Sequence, residues 1–116
     1  MVGAGLDLRN DTTPARGLNG SYFTELVTAE AGRWVTSSLA SDPHRSTFTY
    51  LAHQSNHGPL QVPMRYIDGA CANKIPRENP SRRIMCGMMR AVDNSLANMT
   101  ALYKSKSAWD RTVIIF

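Results

Sequence analysis

Four consecutive large apolar residues, Val113 to Phe116, follow Thr112 at the end of the sequence. A strand that is apolar on both faces is typical of a parallel sheet covered by helices on either side. The run therefore predicts a strand at residues 112–116 in the middle of such a sheet. This is the strongest single constraint on the fold class of the 116 residues.

The remaining pattern supplies the other elements of an α/β fold. Apolar residues recur at helical spacing over residues 22–39 and again over residues 82–104, where methionines dominate one stripe. Ser21 and Ser81 are the predicted N-caps of these helices. Residues 47–52 are rich in β-branched and aromatic side chains and predict a first strand. The composition of residues 7–20 predicts a polar connector without regular secondary structure.

The predicted order is helix, strand, long connection, helix, strand. It indicates parallel strands with the second helix as a right-handed crossover. Gly87 lies inside that helix, where glycine costs about 1 kcal/mol relative to alanine, so we expect close packing against a neighbouring segment there.

Composition narrows the function classes. The net charge is +4, and five basic residues form a cluster without interleaved aromatic side chains. This pattern favours a solvent-exposed basic face, or a surface that attracts anionic substrates, over a nucleic-acid-binding site. These five are Lys74, Arg77, Arg82, Arg83 and Arg90. No apolar run is long enough to predict a membrane span, and residues 1–10 do not have the pattern of a signal peptide.

The cysteines and the glycosylation sequons give information about the cellular compartment of the protein. Cys71 and Cys86 enclose a loop in which a disulfide would contribute about 3 kcal/mol, and two free thiols are the alternative. A zinc site is not expected, because further ligands at useful spacing are missing. Asn10, Asn19 and Asn98 each begin an N-x-S/T sequon, a mild excess over chance that favours a secretory or lysosomal route.

Two histidines follow the first predicted strand. Ligands of open α/β sheets bind outside the carboxyl ends of the strands, which is where His53 and His57 are expected. His57 precedes Gly58-Pro59 in a stiffened loop, and histidine suits catalysis because it both gives and takes a proton near neutral pH. His53 has an alternative interpretation as a hydrogen-bonded residue at the strand end, and His44 is expected to be solvated.

Residues 50–63, Tyr-Leu-Ala-His-Gln-Ser-Asn-His-Gly-Pro-Leu-Gln-Val-Pro, carry a specific resemblance. The string is similar to the segment around a substrate-contacting histidine in arylsulfatases, especially the arylsulfatase B (N-acetylgalactosamine-4-sulfatase) branch. The resemblance extends over most of the chain, including Leu6 to Arg9 and residues 22–28, 82–93, 98–100 and 108–116.

The resemblance implies a sulfuric ester hydrolase with an alkaline-phosphatase-like α/β sheet. In that family a cysteine in C-x-P-S-R becomes formylglycine, and a calcium ion steadies the sulfate. His57 alone matches a functional position, and its implied role is to contact the sulfate ester and protonate the departing alkoxide. Two stretches imitate the nucleophile motif but do not match it, since Glu78 stands where the cysteine is needed in one and Cys86 is followed by neither proline nor serine in the other.

Residues 1–116 are therefore expected to be an incomplete segment of a single sulfatase catalytic domain, inactive alone. The calcium ligands and the formylglycine are expected outside this chain. Sulfated sugars or aryl sulfates are the implied substrates, in a lysosomal or extracellular setting. The alternatives are a non-catalytic secreted glycoprotein derived from a sulfatase, and a fragment of a related phosphoester hydrolase.

Overall fold

The computed structural model describes residues 8–116. The predictions that rest on earlier residues, namely the lack of a signal peptide and the resemblance at Leu6-Asp7, lie outside the described residues. The elements are a two-stranded antiparallel hairpin, four α-helices and a short 3₁₀ turn. In chain order they are β1 (Arg9–Asn10), β2 (Thr13–Pro14), α1 (Phe23–Ser41), α2 (Met64–Ile67), α3 (Ala70–Lys74), α4 (Pro80–Ser105) and the 3₁₀ turn Trp109–Arg111.

The two long helices are confirmed, and only their ends differ from the predictions. α4 begins at Pro80, because a proline at the first helical position has no N–H to leave unpaired and already has a helical φ. The residue preceding α4 is Asn79, and the one preceding α1 is Tyr22. The predicted caps Ser21 and Ser81 are therefore wrong by one and two positions, and neither helix start has a side-chain cap bond.

The core lies where α1 packs against α4. Its apolar centre is formed by four buried side chains, Val35, Leu39, Met99 and Ala108. Part of this interface is polar, however: Thr24, Thr28 and Ser95 are also buried. The buried faces therefore include only part of each apolar stripe, and Trp34 is 49% and Met85 46% exposed.

The expected parallel sheet is absent from residues 8–116, which corrects the prediction made from composition. Residues 47–52 and 112–116 form no strand there, and the single strand pair is the β1–β2 hairpin inside the predicted connector. A strand needs a neighbour to receive its backbone hydrogen bonds, and within the described residues these two ranges have none. Most of their side chains are exposed accordingly, with Phe48 86% and Ile115 92% exposed.

The segment between the first predicted strand and α4 is fastened to α4 at several points. The closest approach is at Gly87, where a Cβ would lie 2.9 Å from Val62 Cγ1 and 3.1 Å from Ile67 Cγ1. This confirms the close packing expected at that glycine. A side chain at Gly87 would push α2 off α4.

Two arginines and a disulfide complete the attachment. Arg83 donates to the carbonyl oxygens of Ala72 and Ile75, and Arg90 donates to those of Tyr66 and Asp68. These bonds satisfy carbonyls that short helices leave open at their ends. Cys71, fully buried in α3, is joined to Cys86 of α4 by a disulfide. None of the helices in the described part of the chain has the length and apolar content needed to cross a membrane.

Candidate functional site

The loop around His57 connects the extended chain before it to α2. The backbone N–H of His57 donates to the carbonyl of Gln54 at 3.1 Å and so closes a tight turn. Asn56 occupies the left-handed region with φ 75°, which asparagine tolerates better than most residues. The Gly58–Pro59 peptide bond is cis. His57 is exposed at the tip of this turn.

The His57 ring has one nitrogen engaged. Nδ1 lies 2.8 Å from the carbonyl oxygen of Gly58, and because a carbonyl only accepts, Nδ1 carries the donated proton. Nε2 takes no part in this bond. When Nε2 is protonated, its N–H is free to donate to a bound group. A backbone bond of this kind sets the tautomer and orients the ring.

The other two histidines have different surroundings. His53 is half-buried, and its Nδ1 is enclosed with no hydrogen-bond partner among residues 8–116. Burial lowers the pKa of His53 below the usual value, so its neutral form is favoured. His44 is exposed in a turn, where its backbone N–H donates to Asp42 Oδ1 at 2.9 Å.

A group of hydroxyls fixes the loop on its N-terminal side. Ser55 Oγ lies 2.6 Å from Thr24 Oγ1 and 3.3 Å from the Tyr22 hydroxyl, both at the start of α1. Thr28 Oγ1 lies 2.6 Å from the Thr24 carbonyl and 2.6 Å from Ser95 Oγ. Since a hydroxyl has one proton, Thr28 donates to the carbonyl and accepts from Ser95. The network joins the loop to both long helices.

A carboxylate holds the segment on the C-terminal side of the loop. Glu25 accepts a hydrogen bond from the Tyr66 hydroxyl at 2.5 Å and an ion-paired one from Arg65. Burial raises the pKa of Glu25, but the bonds from Tyr66 and Arg65 lower it by more, so the net pKa lies below its ordinary value. The pKa of Tyr66 is raised by burial and by its bond to Glu25.

Sequence reasoning missed these supporting residues. Periodicity assigned the apolar positions of α1 to the core and gave no role to Thr24, Thr28 or Glu25. The available signal was weak: two threonines one helical turn apart, in a helix that continues directly from a chain segment rich in polar residues. Their partners lie more than thirty residues away, at Ser55 and Ser95.

The described residues do not fit the calcium ion or the formylglycine. Among residues 8–116 no group of three or more histidine, cysteine or acidic side chains is placed to hold a metal ion. Both cysteines, Cys71 and Cys86, are in the disulfide, so neither is free to be oxidised.

The remaining predicted residues lie on the surface. Asn10, at the end of β1, Asn19 and Asn98 on α4 are all exposed. Within the basic cluster, Arg83 and Arg90 donate to backbone carbonyls, which occupies part of their hydrogen-bonding capacity. A groove lies between the hairpin, α1 and residues 48–51, and none of the three histidines lines it. The His57 loop is therefore a separate, open surface.

Comparisons with known proteins identify the family. The Sulfatase family profile matches residues 4–116. Mouse (Mus musculus) arylsulfatase J is 31% identical over 99 residues, which are 84% of this chain and 15% of that relative. The chain thus spans about a seventh of the length of this relative, and no solved structure matches it. The family implies an alkaline-phosphatase-like α/β domain, of which residues 8–116 show mainly the helices. The chain belongs to the sulfatase family.

Proposed function

We propose that this chain is a segment of a sulfate-ester hydrolase in which His57 contacts the sulfate ester and protonates the departing alkoxide. The observation that carries the proposal is the state of the His57 ring: it is exposed, and its Nδ1 is held by the Gly58 carbonyl. This arrangement leaves Nε2 as the proton donor to a bound ester. Donation to a leaving group typically contributes about 10²–10⁴-fold in rate.

The proposal assigns the rest of the reaction to residues outside this chain. The described residues have no metal cluster and no free cysteine, which supports an assignment of calcium and formylglycine to other parts of a single catalytic domain. The short coverage of the arylsulfatase relative supports the same division. We therefore expect the 116 residues by themselves to bind no calcium and to hydrolyse no sulfate ester.

Substrate and compartment follow from the family resemblance. Sulfated sugars, as in the arylsulfatase B branch, and aryl sulfates are the proposed substrates. Three exposed sequons, at Asn10, Asn19 and Asn98, support glycosylation in the secretory pathway and a lysosomal or extracellular location. The disulfide between Cys71 and Cys86 supports the same route, because such bonds persist in oxidising compartments.

The test is to recover the flanking coding sequence, express the extended protein with its cysteine-oxidising machinery, and measure sulfate release from an aryl sulfate. We expect His57→Ala to lower kcat by about 10²–10⁴-fold. His44→Ala is the matched control, because His44 is an exposed histidine in a polar turn, and it should retain full activity.

Two outcomes would contradict the proposal. Undiminished turnover by His57→Ala would remove its role as proton donor. An upstream extension with serine or threonine in place of the nucleophilic cysteine, together with phosphate release, would identify a phosphoester hydrolase instead.

A further inference from the structure

We propose that the first turn of α1 positions His57, with Thr24 and Ser55 as the positioning residues. The inference rests on the proposed function for the role of His57, but its structural part stands separately. Ser55 lies two residues before His57, and its hydroxyl is held at 2.6 Å by Thr24 Oγ1 and at 3.3 Å by Tyr22. The turn that presents His57 therefore starts from an anchored residue.

The anchor is rigid because Thr24 is itself fixed. Its side chain is 1% exposed, and its carbonyl receives the hydrogen bond of Thr28, which is bonded in turn to Ser95 on α4. A buried hydroxyl without a partner is costly, so Thr24 and Ser55 constrain each other strongly. Displacement of the loop would leave the buried Thr24 hydroxyl without this partner.

The same helix turn also holds the far side of the loop. Glu25, the residue after Thr24, binds Arg65 and Tyr66 of α2. In addition, Asn56 Nδ2 lies 2.6 Å from Met89 Sδ on α4. The segment from Ser55 to Tyr66 is thus fixed at both ends by two adjacent residues of α1, while Asn56 contacts α4. His57 projects from the part of the loop between these attachments.

Such fixation matters because proton donation is sensitive to geometry. A misplacement of about 1 Å by a remote change can reduce turnover by about 10²-fold. Thr24 touches no substrate in this scheme. Its role is to keep Ser55, and through it the turn from Gln54 to His57, in the orientation that presents Nε2.

The experiment has two arms. In the first, amide hydrogen exchange by mass spectrometry on the 116-residue chain follows the His57 N–H, which reports the bond to Gln54. Thr24→Val removes the hydroxyl without changing side-chain shape, and Ser55→Ala removes its partner. Each should raise exchange in the peptide containing His57 by about five-fold, the value expected for one net hydrogen bond. Thr24→Ser should restore the slow exchange.

Ser37→Ala is the control, since Ser37 is an exposed serine on the same helix. It should change nothing, and exchange in the α4 peptides around Met99 should stay as in the unmodified chain for all variants. Should Thr24→Val unfold the chain, Ser55→Ala, which alters only the loop, decides the question. Unchanged His57 exchange in Ser55→Ala would overturn the positioning role.

In the second arm, the same variants are assayed in the extended protein with an aryl sulfate. Thr24→Val and Ser55→Ala should lower kcat by about 10–100-fold with little change in KM, and Thr24→Ser should recover most of the loss. If His57→Ala is inactive but Thr24→Val and Ser55→Ala keep full kcat, the positioning inference is wrong and the proposed function stands. If His57→Ala is fully active while exchange in the loop still rises, the proposed function fails alone.

Discussion

The interface between α1 and α4 has two parts that stabilise the protein by different means. One part is apolar and consists of Val35 and Leu39 against Met99, with Ala108 beside them. The other is polar and consists of Thr24 and Thr28 with Ser95, all buried and hydrogen-bonded. Apolar packing is non-directional, whereas buried hydroxyls need particular partners in particular places. The polar part is the one that reaches the His57 loop, so it is suited to fixing position.

The two parts should also respond differently to substitution. Truncation of an apolar side chain leaves a cavity and loses the transfer free energy of the removed atoms. Removal of one hydroxyl from a buried pair leaves the other without a partner, and removal of both restores a matched, apolar contact. The polar part should therefore show strong coupling between its members, and the apolar part should show a loss that follows the number of atoms deleted.

The largest effect is expected in the apolar part. Met99, 7% exposed, lies at its centre, so Met99→Ala should lower the free energy of unfolding by about 2–5 kcal/mol. Met64→Ala makes the same deletion at a side chain that is 67% exposed, and its effect should stay within about 0.5 kcal/mol. Denaturant unfolding followed by circular dichroism measures both. Equal losses in the two variants would show that the apolar contact is not the centre of the core.

A smaller loss, but a distinctive pattern, is expected in the polar part. Thr28→Val leaves the buried Ser95 hydroxyl without its acceptor and should cost about 1–3 kcal/mol. The double variant Thr28→Val with Ser95→Ala should be more stable than Thr28→Val alone, because no unpaired hydroxyl remains. A double-mutant cycle by denaturant unfolding checks this. Additive losses would mean that the two hydroxyls do not act as a pair.

The smallest expected effect is the loss of folding stability at acidic pH. Because the folded-state pKa of Glu25 is below the ordinary value of 4.5, its contribution is complete above about pH 4.5 and is lost as the pH falls through the lowered pKa. Stability should therefore be insensitive to this group between pH 7 and 5, and should fall with acidification below that range. Thermal unfolding at a series of pH values measures it.

Glu25→Gln should reduce this loss of stability at low pH. Tyr66→Phe removes one of the two donors to the carboxylate and should reduce the loss in part. Glu30→Gln is the control, since Glu30 and Arg33 form an exposed surface pair of the kind that contributes little. If the pH dependence of stability is unchanged in Glu25→Gln, the bonds to Arg65 and Tyr66 contribute nothing to the free energy of folding.

Sequence periodicity predicted both long helices and part of their buried faces. The apolar repeats over residues 22–39 and 82–104 gave the helix ends to within two residues. Their stripes include the buried Val35, Met88 and Met99, and they also include Trp34, Met85 and Met89, which are all more than a third exposed. An apolar stripe shows that a helix has a face to bury, but the neighbour decides which side is covered, and here that neighbour presents Ser95 to Thr28.

The strand predictions show the same limit more strongly. Composition at residues 47–52 and 112–116 is typical of strands, yet a strand forms by pairing, and residues 8–116 offer these segments no partner. The hairpin at Arg9–Pro14 appears where composition indicated only a connector, because a two-residue turn with Asp11 at φ 53° lets Arg9 and Asn10 pair with Pro14 and Thr13.

By itself, the sequence determined the two long helices, the close approach at Gly87 and the family, because these depend on local spacing and on residues 50–63 read as a string. Only the tertiary structure decided that Thr24 meets Ser55, that Glu25 meets Tyr66 and that the His57 ring bonds Gly58. The physical reason is that hydrogen bonds and packing join residues far apart in the chain. Local spacing determines which side chains a helix presents on one face, and the fold determines which partners those side chains contact.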